Sequence, residues 1–316
     1  MLVALDWGTS NLRAYLMSAE GAVVEARRAP RGILHLPAPA GAGGFERAFA
    51  DIAGDWVGSH PTLSVVAGGM VGSAQGWIEA PYVRAPVDLR TLAGAGARVP
   101  SGLGPDVLVA PGVIFEPPDR APDVMRGEEI KIAGAIAAEP SLGERAWFAL
   151  PGTHSKWAFV REQRIVSFAT YMTGELYAVL REHSILGRLM SPEPADAGDS
   201  ALGFETGLAA ARASSPGDLG HQLFAARTLG LTGRLPRNAL ADYLSGLLVG
   251  HELVSALAAS RTTRDAGAPL VLLGDAVLCR LYARALKVFG AAADAQLDDT
   301  APRGLWEFAR AAGLPV

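Results

Sequence analysis

The stretch LDWGTSNLRAYL, residues 5–16, decides how the rest of the chain is read. An apolar run ends at Asp6, a Gly-Thr-Ser turn follows, and the chain goes straight back into apolar residues. That pattern predicts a tight hairpin with a carboxylate near its tip. It returns at 147–160, WFALPGTHSKWAFV, where Gly152-Thr153 aligns with Gly8-Thr9 and Ala158-Phe159-Val160 with Ala14-Tyr15-Leu16. A third strand follows each hairpin, AVVEARR in the first set and RIVSFAT in the second. An internal repeat implies duplicated architecture. The expectation is two similar α/β lobes, residues 1–140 and 141–316, with a cleft between them into which both turns point.

Turns rich in Gly and Thr offer backbone N–H groups and hydroxyls, which suit phosphate oxygens. A carboxylate beside such a turn would repel phosphate unless it holds Mg²⁺, usually through water, and the metal bridges the phosphates. Asp6 therefore reads as a metal carboxylate, and Thr9 and Ser10 as phosphate-facing hydroxyls. The plain alternative is a hairpin turn with a solvated Asp. No G-x-x-x-x-G-K-[ST] loop occurs, and no G-x-G-x-x-G follows a strand.

Between and after the hairpins the pattern is mixed. FERAFADIAGDW places Phe45, Phe49, Ile52 and Trp56 at helical spacing. LSVVAGG and DVLVAPG read as buried strands, and GEEIKIAGAIAAE as a helix with acids in its first turn, where the helix dipole favours them. The later chain reads as helices over TGELYAVLREHSIL, 217–231 and RNALADYLSGLLVGHELVSALA. PLVLLGDAVLCRLYARAL is a strand, a turn and a helix, and RGLWEFARAA a closing helix. Residues 37–44 and 93–105 read as surface loops, and 70–86 as a long irregular one.

Composition sets limits. The 316 residues carry a net charge of −4, so no basic footprint for nucleic acid is present. The lone cysteine, Cys279, excludes an internal disulfide and points to a reducing compartment. No signal-peptide pattern is visible, and no uninterrupted apolar run approaches the ~20 residues that span a bilayer. A soluble cytoplasmic protein without membrane or nucleic-acid partners is expected. The oligomeric state stays open, a homodimer being one option.

The two hairpins and the Gly-turn-helix at Gly274 resemble the phosphate and adenosine motifs of the sugar kinase/Hsp70/actin superfamily, whose lobes are ribonuclease H-like. More narrowly, DWGTSNLRAYL, AGGMVGSAQGWIEAPY, VMRGEEIKIAGA, LPGTHSKW, MTGELYAVL and LSGLLVGHE are similar to the 2-dehydro-3-deoxygalactonokinase family. The resemblance implies ATP-dependent, Mg²⁺-assisted phosphorylation of a 2-keto-3-deoxy sugar acid on its terminal hydroxyl. It implies nucleotide contacts from Asp6, Gly8, Thr9, Ser10, Asn11 and Arg13 on the first hairpin, Gly152 and Thr153 on the second, and Gly274.

Phosphoryl transfer needs charge neutralisation, positioning and a base near the attacking hydroxyl. Glu128 and Glu129 are the base candidates, Glu128 preferred; helix capping is the alternative for either. Arg126 can grip the sugar-acid carboxylate bidentately or pair with a glutamate. Lys156 can meet phosphate or carboxylate, and His154 can donate to substrate or merely stabilise its turn. Ser73, Trp77 and Tyr82 lie on the 70–86 loop, long enough to be a binding loop, with core anchoring the alternative for the two rings. Two departures from the superfamily stand out. Leu150 replaces an acid before the second turn, and a single glycine stands at 274. Other readings are a kinase for the gluconate-derived epimer, an exopolyphosphatase-like phosphohydrolase, and a nucleotide-gated binding protein.

Overall fold

The computed structural model describes residues 1–60, 62–262 and 267–316. The chain starts with β1 (Leu2–Trp7), β2 (Leu12–Met17), β3 (Val23–Ala29), α1 (Gly44–Ser59) and β4 (Ser64–Gly68). It continues through β5 (Tyr82–Arg84), α2 (Leu89–Gly94), β6 (Ala97–Pro100), β7 (Asp106–Val109), β8 (Gly112–Phe115), β9 (Asp123–Met125) and α3 (Glu128–Ala138). Then come β10 (Arg145–Leu150), β11 (Ser155–Arg161), β12 (Arg164–Tyr171), α4 (Thr173–His183), α5 (Ala197–Arg212), α6 (Leu219–Leu231) and α7 (Leu240–Thr262). β13 (Leu270–Leu273), α8 (Ala276–Val288), β14 (Ala295–Leu297) and α9 (Ala301–Ala311) complete it.

Two compact units emerge. One holds residues 1–148, 158–168 and 297–316, the other 149–157 and 169–296. This packing differs from a division at 140/141, because parts of β10, β11 and β12, and all of α9, join the first unit.

In the first unit the main sheet runs β3-β2-β1-β4-β7-β6, and β5-β8-β9 form a small second one. β1 pairs antiparallel with β2, Asp6 opposite Arg13, and parallel with β4, Asp6 opposite Gly68. Its near-continuous apolar run follows from burial on both faces. Val3, Leu5 and Trp7 pack with Phe45, Phe49 and Ile52 of α1. Leu2 and Ala4 pack with Ile130 of α3 and Leu305, Trp306 and Phe308 of α9. Period-two alternation puts Asp6 on this second face, at the strand's end. α3 and α9 touch backbone to backbone, since a Cβ at Gly134 would strike the Thr300 carbonyl and one at Gly304 the Ile130 carbonyl. That contact assigns α9 to this unit.

The remaining sheet runs β12-β11-β10-β13-β14. In the second unit α5 and α7 cross as closely as α3 and α9: Gly207 meets the backbone of α7, Gly203 that of Ala239 just before it, and Gly246 that of α5. By length and composition Arg237–Ser260 could cross a membrane, unlike the sequence expectation, but 61% of that apolar stretch is buried inside the fold. The 70–86 loop contains β5, and 93–105, expected as loop, contains β6, an edge strand.

Candidate active site

In the first turn, Gly8 N–H donates to the Asn11 carbonyl (2.9 Å), and the Gly8 and Thr9 carbonyls accept from Ile33 and Leu34 (both 3.1 Å). Thr9 and Ser10 are exposed at the tip. The Asn11 side chain accepts from Arg28. Arg13 bridges two carboxylates, Asp6 and Asp299, at 3.3 Å each. Tyr15 donates to Asp299 at 3.1 Å. Burial pushes the Asp6 carboxyl above its ordinary range and Asp299 adds to this, while Lys131 and Arg13 hold it down. Asp299 was missed in the sequence. It belongs to an acidic pair in DDT beside a helix start, which by itself reads as capping.

Two left-handed glycines join Asp6 to α3. At Gly69, φ +93°, a Cβ would strike the Trp7 carbonyl and come to 3.7 Å from Asp6 Oδ1. Gly127, φ +109°, abuts Gly69 and starts α3. A side chain at either would separate the carboxylate from the helix N-terminus. Glu128, half-buried, accepts from the Arg126 N–H (3.1 Å). Glu129 is fully buried and accepts from the Gly127 N–H (2.7 and 2.8 Å). It shares its helix face with Ile132 and Ile136 along a cavity of about 690 Å³. Burial and then Glu128 raise its carboxyl to about 8, so it holds a proton at neutral pH.

Arg126 is 9% exposed. Its Nη2 donates to the Ala80 carbonyl (2.8 Å), and its guanidinium lies 4.3 Å from the centre of the Tyr82 ring. Its Nε and Nη1 are buried without a partner, as is the Ser73 hydroxyl. Gly72 packs against Nη1, leaving no room for a side chain. Tyr82 is 43% exposed and covers the guanidinium. Trp77 is the loop's anchor: it stacks on Phe45 (5.9 Å), meets Trp7 edge-on (5.8 Å) and donates to Glu46.

In the second unit Thr153 and His154 are exposed at the turn, and the His154 ring contacts the Glu175 carboxylate. Lys156 is buried. Gly174 packs against Gly152 and Thr153, and Glu175 N–H donates to the Thr153 carbonyl (3.0 Å). The start of α4 thus sits on the turn. A cavity of about 250 Å³ is lined by Gly152, Gly174, Tyr177, Ser245, Leu278 and Tyr282, among others. Gly274, φ +134°, precedes Asp275, which caps α8 through the Val277 and Leu278 N–H groups.

Comparison with known proteins fits these arrangements. The family described as 2-keto-3-deoxy-galactonokinase matches residues 6–308. A 2-dehydro-3-deoxygalactonokinase from Escherichia coli (strain K12) is 34% identical over 302 residues, covering 95% of this chain and 94% of its own. A relative from Rhizobium meliloti (strain 1021), named a probable 2-dehydro-3-deoxygalactonokinase, is 35% identical over 98% of this chain and 96% of its own. A solved Sinorhizobium meliloti structure, provisionally assigned the same activity, superposes with a TM-score of 0.84 at 31% identity, covering 98% of this chain and 99% of its own. The ADPNP-bound activator of the 2-hydroxyisocaproyl-CoA dehydratase from Clostridium difficile shares the fold, with a TM-score of 0.51 at 13% identity, covering 98% of this chain and 95% of its own. The expected mixed α/β, actin-like class therefore holds. On these matches the chain belongs to the 2-keto-3-deoxy-galactonokinase family of carbohydrate kinases.

Proposed function

We propose that this protein transfers the γ-phosphoryl group of ATP to the terminal 6-hydroxyl of 2-dehydro-3-deoxy-D-galactonate, in galactonate catabolism in the cytoplasm. One observation carries the acid specificity: the Arg126 guanidinium is buried with its Nε and Nη1 unpartnered, and the Ser73 hydroxyl of the 70–86 loop is buried and unpartnered too. Leaving such donors unpaired is costly, which makes them strong candidates for a ligand. A sugar-acid carboxylate would give this buried guanidinium a charge-assisted partner. The Tyr82 ring, the cover over the guanidinium, swings aside to admit it. Lys156 and His154 serve the transferred phosphate.

Glu128 is the base. It takes the proton of the 6-hydroxyl as that oxygen bonds to the γ-phosphorus and the bond to the β-phosphate oxygen breaks, releasing ADP. Its neighbour Glu129 is buried and protonated, so it is unsuited to that role. Thr9, Ser10 and the Gly8 turn, with Asn11 and Arg13, hold phosphate oxygens. Gly152 and Thr153 do so from the second turn, and the nucleoside lies in the 250 Å³ cavity towards Gly274. Asp6, beside the first turn and close to Asp299 across Arg13, would hold Mg²⁺ mainly through water. Such an ion would supply charge neutralisation on the phosphates.

The test is ADP formation with a panel of sugar acids. The expected result is turnover with 2-dehydro-3-deoxy-D-galactonate well above its gluconate epimer. Preference for the epimer would reassign the substrate. Phosphate release from polyphosphate without an acceptor sugar would overturn the kinase reading.

A further inference from the structure

We infer that Glu252 is a positioning residue that sets the second phosphate turn through Tyr282 and Ser155. The inference rests on the nucleotide reading proposed above. Glu252 lies on α7, 3% exposed. Its Oε1 accepts from Trp157 Nε1 (2.8 Å). Its Oε2 accepts from Tyr282 Oη (2.7 Å) and from the Thr173 hydroxyl. Tyr282 Oη is 3.0 Å from Ser155 Oγ, which in turn accepts from the Gly152 N–H at 3.4 Å. One buried carboxylate therefore ties together β11, the start of α4, α8 and the Gly152 turn. It joins three sequence motifs, LPGTHSKW, MTGELYAVL and LSGLLVGHE, whose last residue is Glu252.

The chemistry gives the chain a direction. A carboxylate only accepts, so Tyr282 must donate to it. Ser155 then donates to the Tyr282 oxygen, and its lone pairs are left facing the Gly152 N–H. Buried networks of this kind are costly to leave half-satisfied and hold one geometry when complete. Thr173, held by the same carboxylate, fixes the start of α4 where Gly174 presses on Gly152 and Thr153. Tyr282, Thr173 and Gly152 also line the cavity assigned to the nucleoside. Glu252 touches none of the reacting atoms and acts only through these neighbours.

Tyr282→Phe cuts the link from Glu252 to Ser155 and leaves the ring in the cavity wall. Trp157→Phe removes a donor to the same carboxylate that does not lead to the turn. Binding of the non-hydrolysable analogue AMPPNP with Mg²⁺, measured by calorimetry, separates the two. Tyr282→Phe should weaken binding about tenfold, as a lost hydrogen bond at this position implies. Trp157→Phe should change it less than threefold, even where it lowers Tm as much. KM for the sugar acid should stay put in both, and Glu252→Gln should behave like Tyr282→Phe. Equal effects of the two aromatic variants, or none from Tyr282→Phe, would reduce Glu252 to ordinary packing. Wild-type protein that fails to bind AMPPNP would instead remove the nucleotide reading, and this inference with it.

Discussion

At the scale of single residues, the site is a set of charges held in place by their neighbours. Asp6 and Asp299 share Arg13, so the first turn carries a charge balance that one carboxylate would not provide. Glu128 and Glu129 are adjacent in sequence and differ in setting, one half-buried on the Arg126 N–H, the other fully buried on the Gly127 N–H. Glu128→Gln keeps shape and loses basicity. It should lower kcat by about 10²–10⁴-fold with little change in either KM; a mild loss in steady-state turnover would move the base elsewhere. Arg126→Met tests the carboxylate contact. Losing a hydrogen bond to a charged group costs about 1.5–3 kcal/mol, so KM for the acid should rise about ten- to a hundredfold while KM for ATP stays near its wild-type value. Equal rises in both would make Arg126 a phosphate ligand.

Secondary elements bring these residues together by close backbone approach. α3 reaches Asp6 only because Gly69 and Gly127 have no side chains, and α9 fixes α3 through Gly134 and Gly304. Gly207 makes the equivalent contact between α5 and α7, which carries Glu252. Gly207→Ala should cost about 1–3 kcal/mol by overpacking. Gly220→Ala, on α6 where a Cβ meets nothing within 4 Å, should be neutral or slightly stabilising; chemical denaturation would distinguish them. The buried glutamate of α3 gives a pH test. Its folded value of about 8 exceeds the unfolded 4.5, so the native state holds a proton that the unfolded chain has lost. Its contribution to stability is therefore fullest below about 4.5 and declines as pH rises towards 8. Melting curves of Glu129→Gln should lack this decline, so its Tm should gain on wild type between pH 5 and pH 8. A constant difference across that range would mean that Glu129 is ionised in the fold.

For the whole molecule, ligand binding should be felt in separate places. AMPPNP with Mg²⁺ should slow amide exchange in α4 and α8 of the second unit, and the sugar acid should slow it around β5 and the start of α3 in the first. Exchange monitored by mass spectrometry would show this, and protection by nucleotide confined to α1 or α6 would contradict the assignment. The sequence by itself determined the repeated hairpin, the strand and helix types over most of the chain, the family, and the candidates Asp6, Arg126, Glu128 and Glu129, because period-two and period-3.6 patterning and Gly-Thr turns are local properties. It missed α5, whose GDSALGFETGLAAAR is rich in glycine and alanine and lacks a broad apolar stripe; that helix exists because its glycines admit α7. It left Trp77 open between substrate and core, and the ring's packing on Phe45 and Trp7 shows the anchor. Only the tertiary structure could decide the rest: that α9 returns to the first unit, that Asp299 shares Arg13 with Asp6, that Glu129 is sealed and Glu128 is not, and that Glu252 stands beneath the second turn. The reason is physical. Burial, hydrogen-bond partners and the field at a carboxylate depend on groups hundreds of residues away along the chain, as Arg13 and Asp299 do, and no local pattern encodes their meeting.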